Sequence, residues 1–514
     1  MIFFMFFESY GRSFFLCCFL LPGNGLNEIR TLAKQTAIYG FGTIVPRFLN
    51  YGIMTFFYTR FFDKAEYGVV TELYAWMVLL LIVLTYGMET GFFRFAQKRE
   101  DSEKVYSTAL ISLFVTSSLF LVVANLFITP FSALLNYSGN QDYIRLFAAI
   151  VAIDAFTAIP FAWLRKENRP VLFSMIKIAN VIVTIGAVLF LLLVAPGIYE
   201  KSNGWFRKVY DPDYRVGYVF VANLAGSIAT LIILLPVILK ARPVLDTAIW
   251  KRITGYSFPL LIAGLSGSLN DTLDKIILRR MIGEDTGLAT VGEYGAGYKV
   301  AVLMALFIQM FRFAAEPFFF ERAKHENARE SYAYIMKYFI ITMLIIYLVM
   351  NMYISGFQLI IGKSFRDAIV VVPVISMGYL LYGIYINHSI WYKLNDLTKY
   401  GVYITVIGTA VTVLINLLLI PVFGYMASAW AHVASYGLMI VMSFLFAERH
   451  YKINYNMIQI VPYFIIALGM VVFSRLYKYE SIIGELIINT ILIAAFIVYA
   501  QYRDKLITLL FRRD

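Results

Sequence analysis

Charged side chains are scarce in this sequence. Of its 514 residues, 15% are charged and 60% are hydrophobic, whereas a soluble globular chain is about 25% charged and about 45–50% apolar. So few charges do not cover the water-facing surface of a soluble protein of this length, and a chain this apolar is not disordered. The composition therefore excludes a large soluble enzyme and a disordered protein, and it predicts a polytopic helical membrane protein.

Cysteine and histidine are also rare. The two cysteines, Cys17 and Cys18, are adjacent and predict neither a disulfide framework nor a metal site. The four histidines are scattered without metal-ligand spacing, so we expect no metal and no cofactor. The net charge of +12 is typical of cytoplasmic loops that meet anionic lipid, and we do not interpret it as a nucleic-acid interface.

Long apolar runs are abundant. A spanning helix needs about 20 apolar residues, and the runs predict about fourteen spans. Loop charges place both termini in the cytoplasm, because the inner segments then carry about twice as many Lys and Arg as the outer ones. The predicted spans are about 33–58, 69–93, 105–130, 143–164, 170–195, 216–239, 253–280, 294–320, 335–360, 368–392, 401–421, 425–447, 458–475 and 482–502.

One stretch of the sequence recurs 227 residues later. The Glu-Tyr-Gly of residues 66–68 returns at 293–295, and Glu89 returns as Glu316. Six predicted spans lie between the copies, and an even number preserves orientation, so the repeats are expected to be parallel. The predicted parts are a poorly ordered N-terminal extension (1–25), an N-lobe (26–245, spans 1–6), a C-lobe (246–450, spans 7–12), and two extra spans with a cytoplasmic tail (451–514).

Short motifs in both repeats carry a resemblance to a known family. They include Pro46-Arg47-Phe48-Leu49-Asn50, Tyr86-Gly87-Met88-Glu89-Thr90, Leu273-Asp274-Lys275, Tyr298-Lys299-Val300-Ala301 and Phe311-Arg312-Phe313-Ala314-Ala315-Glu316-Pro317. The sequence resembles the polysaccharide-exporter family of Wzx-type oligosaccharide flippases, within the multidrug/oligosaccharidyl-lipid/polysaccharide flippase superfamily. The resemblance implies two six-helix lobes around a central cavity that opens alternately to each side.

The same resemblance implies a cargo and a place in the cell. The cargo is an undecaprenyl-pyrophosphate-linked oligosaccharide, moved from the inner to the outer leaflet of the bacterial cytoplasmic membrane for O-antigen, lipopolysaccharide or other polysaccharide synthesis in the cell envelope. Membrane lipids, a glycan polymerase and glycosyltransferases are the expected partners, with no role for nucleic acid or ATP.

Ionisable residues at membrane depth are the candidate functional residues, because a charge at the bilayer centre costs about 2.5–3.5 kcal/mol on insertion scales. Four cations lie on spans that line the cavity in the resembled fold, and we expect them to bind the pyrophosphate, since Arg and Lys suit phosphate oxygens. Pairing with nearby acids or with lipid phosphates is the structural alternative. The four are Arg47, Lys275, Lys299 and Arg312.

Three carboxylates, Glu89, Asp154 and Glu316, are candidates for binding a coupling ion. Glu316 stands four residues after Arg312, so the two alternatively form a clasp within one helix. Asp154 has no local cation; it either pairs across helices, for example with Lys177, or binds a proton or sodium ion. For Glu89, capping a neighbouring helix and binding a coupling ion both remain open.

Two other function classes stay open. A membrane-embedded glycan polymerase or glycosyltransferase needs acid or metal groups in an external loop or domain, whereas the outer loops are short; the longest, 196–215, carries Glu200, Asp211 and Asp213. An antiporter for organic cations needs a net acidic cavity, whereas the candidate residues include at least as many cations as acids. The chain has no Gly-rich phosphate loop for ATP. We therefore predict a flippase that is not an enzyme.

Overall fold

The computed structural model describes residues 40, 43–96, 102–202, 204–241, 244–323, 327–395, 397–477 and 481–504. Across these residues the chain is built from helices, without a β-strand. The predicted N-terminal extension, 1–25, lies outside the described residues. The chain divides into two compact units, an N-unit of residues 41–295 and a C-unit of residues 296–514 together with 1–40. The lobe boundary at 245/246 stays a prediction.

Nine principal helices of the described chain begin in the N-unit, and the last of them, α9, ends in the C-unit. A helical stretch at 43–49 continues through a π-helical turn, Asn50–Met54, into α1. A short helix, Ile128–Leu134, follows α4, and two more, Ala195–Lys201 and Phe206–Val209, lie in the connection before α7. The nine are α1 (Thr55–Phe61), α2 (Lys64–Thr85), α3 (Met88–Phe95), α4 (Ser102–Leu126), α5 (Gln141–Lys166), α6 (Pro170–Leu189), α7 (Val216–Ile238), α8 (Thr247–Ile282) and α9 (Glu284–Ala301).

Seven further principal helices lie in the described part of the C-unit, and a four-residue helix, Ile354–Phe357, lies between the second and the third of them. A 3-10 segment, Lys363–Val371, leads into α12, and a short helix, Ile390–Leu394, follows it. The seven are α10 (Leu303–Arg322), α11 (Ala328–Met352), α12 (Val372–His388), α13 (Thr398–Phe423), α14 (Tyr425–His450), α15 (Met457–Leu476) and α16 (Ile482–Asp504).

Eleven helical segments of the described chain are long and apolar enough to cross a membrane. The count rises to twelve if Thr286–Ala301 and Leu303–Arg312, bent by 43°, form one broken span. The chain is therefore a multi-pass membrane protein, and the all-α fold class is confirmed, but the count of fourteen is not. The predicted first and seventh spans make the difference. The seventh, α8, is long, yet it is interrupted by Gly and Ser and carries Asp271, Asp274 and Lys275.

Local sequence signals explain several helix ends. Asp63 and Glu66 form a reciprocal capping box at the start of α2, which satisfies two backbone N–H groups. Asp246 accepts hydrogen bonds from two backbone N–H groups at the start of α8. Pro170 occupies the first position of α6, where no N–H is needed. These caps set where the spans begin, and so the depth at which each ionisable side chain lies.

Candidate site: ionisable clusters in the two units

The predicted carboxylate Glu89 lies directly after a break in the second span. Between α2 and α3, Tyr86 and Gly87 both adopt left-handed backbone conformations. A Cβ at Gly87 would stand 2.8 Å from the carbonyl oxygen of Ser257 on α8, so both the conformation and the close approach require glycine. The break puts Glu89 in the first turn of α3, where the helix dipole favours an acid.

Glu89 forms an ion pair with Arg165, in the last turn of α5. The Arg165 guanidinium also lies over the ring of Phe93, 5.0 Å from its centroid. The Glu89 and Arg165 side chains are 41% and 33% exposed, so the pair is screened by its surroundings. The ion pair joins α3 to α5, and both predicted roles of Glu89, capping a neighbouring helix and binding an ion, stay predictions.

Asp154 lies midway along α5 and accepts a hydrogen bond from the Ser227 hydroxyl of α7, with an O–O distance of 2.8 Å. The cation that acts on it electrostatically is Lys177 of α6, as the sequence suggested. The Lys177 ammonium itself lies over the ring of Phe161, 4.0 Å from the centroid. Among the ion pairs of the described residues, none joins Lys177 to a carboxylate.

Lys177 stands at the centre of a charged cluster in the N-unit. Asp154, Glu89, Arg165 and Arg47 all lie within electrostatic range of its ammonium. The structure thus brings together three of the predicted residues and adds Arg165 and Lys177. We call these five residues the Lys177 cluster. Its members come from the helical stretch 43–49, α3, α5 and α6, so no sequence spacing reveals the grouping.

The predicted headgroup ligand Lys275 is part of a buried ion pair. Its Nζ lies 2.9 Å from Oδ1 of Asp274, and the two side chains are 7% and 0% exposed. Nζ also donates to the backbone carbonyl of Asp271 at 2.7 Å, and the Tyr294 hydroxyl donates to Oδ2 of Asp274 at 2.6 Å. The adjacent Asp274 is therefore an acid partner of Lys275, as the structural alternative of pairing with nearby acids expects. To bind a headgroup, Lys275 would have to loosen this contact.

In the C-unit, Glu316 accepts from two cations. Arg312 Nε lies 3.0 Å and Lys393 Nζ lies 2.7 Å from the same Oε1 atom. The predicted clasp between Arg312 and Glu316 is therefore present, and Lys393 extends it to the end of the tenth predicted span. The group borders a small hollow, whose lining is Phe311, Arg312, Ala315, Glu316, Phe319, Ile386, Asn387, Ser389, Ile390 and Lys393.

Lys299 lies in the last turn of α9 and is half-buried. Its chain neighbours are tightly packed. The Tyr298 hydroxyl shares a hydrogen bond with Tyr379, and a Cβ at Gly297 would overlap the carbonyl of Ala368. These contacts hold the backbone that carries Lys299. The prediction that Arg47, Lys275, Lys299 and Arg312 face one cavity stays a prediction, because two belong to each unit.

The sequence interpretation missed a buried ion pair between Glu72 of α2 and Arg279 of α8. The side chains are 3% and 7% exposed. Tyr137 donates to Glu72 at 2.8 Å, and the Arg279 guanidinium lies 4.5 Å from the Tyr137 ring centroid. Burial, followed by the Glu72 charge, raises the pKa of Tyr137 well above its usual value, so the hydroxyl remains a donor. The detectable signal was Glu72 itself, a lone acid in an apolar run.

The two Glu-Tyr-Gly motifs of the repeat lie against each other within the N-unit. A Cβ at Gly68 would overlap the carbonyl oxygen of Leu288, and one at Gly292 would overlap that of Lys64. Beside this contact, Lys64 Nζ lies 2.7 Å from Oε2 of Glu293. Gly68 of the first motif and Gly292, which directly precedes the second, therefore have a physical reason, since only glycine allows the two backbones to approach this closely.

The described residues contain no group of three or more His, Cys, Asp or Glu side chains suited to a metal ion. What the site offers is cations beside carboxylates at membrane depth. Such a set stabilises an anion, or exchanges a proton, and it needs no bound cofactor for either.

The chain is similar to solved structures of a flippase and of transporters. The chain is similar to the lipid II flippase MurJ in an inward closed conformation, with a TM-score of 0.67, 12% identity, 92% of this chain covered and 100% of that one. It is also similar to an outward-facing multidrug resistance MATE family transporter of the MOP superfamily, with a TM-score of 0.57, 15% identity, and coverage of 82% and 94%. At these identities the likeness establishes the fold.

No curated protein sequence matches the chain. The polysaccharide biosynthesis protein family does match, over residues 32–322. That segment is more than half of the chain and contains the Lys177 cluster, both Glu-Tyr-Gly motifs, Lys299, Arg312 and Glu316. With the solved structures, it supports a transporter or flippase rather than an enzyme, as the sequence predicted. The chain belongs to the polysaccharide biosynthesis protein family of multi-pass membrane proteins.

Proposed function

We propose that this protein flips an undecaprenyl-pyrophosphate-linked oligosaccharide from the inner to the outer leaflet of the bacterial cytoplasmic membrane. The observation that carries the proposal is the Lys177 cluster, a group of cations and acids at membrane depth in a chain of the polysaccharide biosynthesis family. MurJ, whose fold is similar, is a lipid II flippase. The proposed transport is by alternating access, with both termini in the cytoplasm, as the loop charges predict.

The predicted cations are proposed to bind the pyrophosphate. A phosphate that leaves water for a low-dielectric cavity needs fixed cations to offset the loss of its hydration. Arg47 is exposed, and Arg312 shares its acid with Lys393, so both have room to meet an anion. Lys299 is half-buried at the end of α9. Lys275 is the most enclosed of the four and is proposed to contribute through its pair with Asp274.

The carboxylates are proposed to couple transport to a proton, to sodium or to the membrane potential. An outward-moving anion gains roughly 2.3 kcal/mol per charge per 100 mV of inside-negative potential. The empty carrier must then return with its cations uncompensated, and a carboxylate that loads an ion from outside assists that step. Asp154 is the strongest of the three candidates, because Glu89 and Glu316 already hold Arg165 and Lys393.

Reconstituted protein tests the proposal directly. Proteoliposomes carry a fluorescent undecaprenyl-pyrophosphate oligosaccharide, and the label in the outer leaflet is quenched by a membrane-impermeant reductant while pH, sodium and voltage gradients are imposed separately. We expect protein-dependent flipping that one of the gradients accelerates. Flipping at the rate of protein-free liposomes under every gradient would contradict the proposed function.

A multidrug antiporter is the second candidate, because MATE transporters share the fold. An organic cation needs an acidic cavity, whereas the Lys177 cluster holds three cations and two acids. The same proteoliposomes, loaded with a fluorescent organic cation, distinguish the two. Cation efflux driven by a pH or sodium gradient, without flipping of the lipid-linked sugar, would favour the antiporter. The proposed flippase is expected to flip the lipid-linked sugar without gradient-driven efflux of the organic cation.

The oligosaccharide would be assembled and used by other membrane enzymes. Glycosyltransferases that build a lipid-linked oligosaccharide on the inner leaflet must act before this step, and a glycan polymerase that consumes it on the outer leaflet must act after it. O-antigen and lipopolysaccharide synthesis are the proposed setting. Deletion of the gene is expected to leave lipid-linked oligosaccharide on the inner leaflet.

A further inference from the structure

Lys177 is a cation at membrane depth that an aromatic ring stabilises in place of a carboxylate. It lies seven residues after the start of α6, about 10 Å along the helix axis. Its ammonium stands 4.0 Å from the centroid of Phe161, a cation–π distance. Among the described residues, no carboxylate forms an ion pair with it. An ammonium held in this way keeps donor capacity for a further anion.

The two acids near Lys177 are already engaged. Glu89 holds Arg165, and Asp154 accepts from Ser227. Asp154 and Lys177 lie within electrostatic range of each other, so the Lys177 charge favours the ionised form of Asp154. If the Lys177 ammonium moves to another anion, its positive charge no longer stabilises the ionised carboxylate of Asp154. Two other cations act electrostatically on Lys177. Arg165 forms an ion pair with Glu89, and Arg47 lies on the helical stretch 43–49.

We propose that Lys177 is a further headgroup-binding residue and that Asp154 takes up a proton when Lys177 binds the diphosphate of the cargo. The long flexible stem of lysine lets its ammonium move from the Phe161 ring to a phosphate oxygen. Asp154, with less positive charge near it and a single hydrogen bond from Ser227, then binds a proton more readily. Cargo binding and proton uptake are thus linked at one place. This inference rests on the proposed function.

Linkage fixes the sign of the pH dependence. If binding takes up a proton, the affinity for the diphosphate rises as the pH falls, because protons and ligand then favour the same state. The probe must not titrate itself. A short-chain prenyl diphosphate sugar is suitable, since both of its phosphates are esterified and stay ionised over the tested range.

Calorimetry on the full-length protein in detergent measures both quantities. Titration of the prenyl diphosphate sugar in two buffers of different ionisation enthalpy gives the dissociation constant and the number of protons taken up. We expect uptake of about one proton by the wild type, and none by Asp154→Asn, which still binds. Lys177→Met is expected to weaken binding at least about tenfold, while Lys177→Arg retains it. Lys208→Met removes the same charge from an exposed position and serves as the matched control.

The calorimetric results distinguish a failure of this inference from a failure of the proposed function. Wild-type affinity in Lys177→Met, or unchanged proton uptake in Asp154→Asn, would overturn the inference while leaving the flippase proposal standing. No binding of the probe by the wild type would instead count against the proposed function itself. If Lys177→Met does not accumulate as folded protein, Asp154→Asn still decides, because it leaves Lys177 in place and its proton count is measured separately from its affinity.

Discussion

The two repeats hold the same acid in the same kind of ion pair. Glu316 follows Glu89 by 227 residues, and Lys393 follows Arg165 by 228. In each unit the acid belongs to the second span of the repeat and the cation to the end of the fourth, and both pairs are partly exposed. Because an equivalent ion pair is present in each unit, it is best explained as a structural contact that both repeats share.

The repeats differ at membrane depth. At an offset of 227, Asp154 and Lys177 correspond to Leu381 and Ile404, and at the offset of 228 that relates Arg165 to Lys393 they correspond to Tyr382 and Thr405. Neither alignment places a charge at these positions, and Ile404 is buried. The second repeat therefore has uncharged side chains where the first keeps charges that are costly in a membrane. Because one half folds without them, we expect the charges of the first repeat to serve the proposed transport rather than folding.

The strongest test of this difference replaces the two charged residues of the first repeat by the apolar residues of the second. The double variant Asp154→Leu with Lys177→Ile removes both charges together, so no unpaired charge is left buried. We expect the protein to accumulate normally and to flip the lipid-linked oligosaccharide at least about 100-fold more slowly, a change of roughly 2.7 kcal/mol in the barrier. The proteoliposome assay measures the rate.

The matched control changes the corresponding positions of the second repeat. Leu381→Ile with Ile404→Val alters apolar packing by small amounts and leaves every charge in place, so it is expected to flip at close to the wild-type rate. Wild-type flipping by the Asp154→Leu, Lys177→Ile protein would show that the charges of the first repeat are dispensable, and the asymmetry would lose its functional meaning.

Much of the fold was predictable because membrane spans are long and apolar. Each of the fourteen predicted spans overlaps a helix of the described chain, and the repeat was visible as recurring Glu-Tyr-Gly. The count of spans was less predictable, because α8 carries Asp271, Asp274 and Lys275 and is less apolar than its length suggests. A long helix is not always apolar enough to cross a membrane. Sequence periodicity predicts the length of the helix and does not predict whether the helix crosses.

The candidate site was predictable residue by residue but not as a group. The cost of burying charge singles out Arg47, Glu89 and Asp154 from sequence alone. Their partners come from other helices, so Arg165 and Ser227 became visible only in the folded chain. Contacts between distant segments depend on helix packing, which one sequence without its fold does not specify.

A second comparison concerns position 72 and its counterpart in the second repeat, which is Lys299. Glu72 is buried against Arg279, whereas Lys299 is half-buried. Arg279→Met leaves the Glu72 charge buried without its partner, which is expected to cost about 3–5 kcal/mol of stability. Lys299→Met is expected to lower flipping with a smaller loss of stability. Thermal unfolding in detergent, together with the flipping assay, separates the two effects.

Removing both members of the buried pair sharpens this result. Glu72→Met with Arg279→Met replaces two charges by apolar side chains of similar length, and we expect it to regain most of the stability that Arg279→Met loses. If the double variant is as unstable as the single one, the shape of this group, including Tyr137, matters more than charge compensation.

Exchanging the partners of the shared pair has a smaller expected effect. Glu89→Arg alone places two cations together, and we expect it to lose about 1 kcal/mol of stability, as befits a half-exposed pair. Glu89→Arg with Arg165→Glu restores opposite charges, and we expect it to regain both stability and flipping. The corresponding exchange of Glu316 and Lys393 should behave alike. Recovered stability without recovered gradient dependence would instead assign ion coupling to Glu89.

The smallest effect is expected at Lys64 and Glu293, beside the close approach of the two Glu-Tyr-Gly motifs. The side chains of this pair are 31% and 16% exposed, so Lys64→Met is expected to cost less than about 1 kcal/mol. Gly68→Ala should cost more, because its Cβ would overlap the carbonyl of Leu288.

Thermal unfolding at low salt and at 1 M salt tests both variants. The Debye length falls to about 3 Å in 1 M salt, which weakens an exposed ion pair. The Lys64→Met difference should shrink in high salt, whereas the Gly68→Ala difference should persist. A Lys64→Met loss as large as that of Arg279→Met would mean that the ion pair, rather than the glycines, holds the two motifs together.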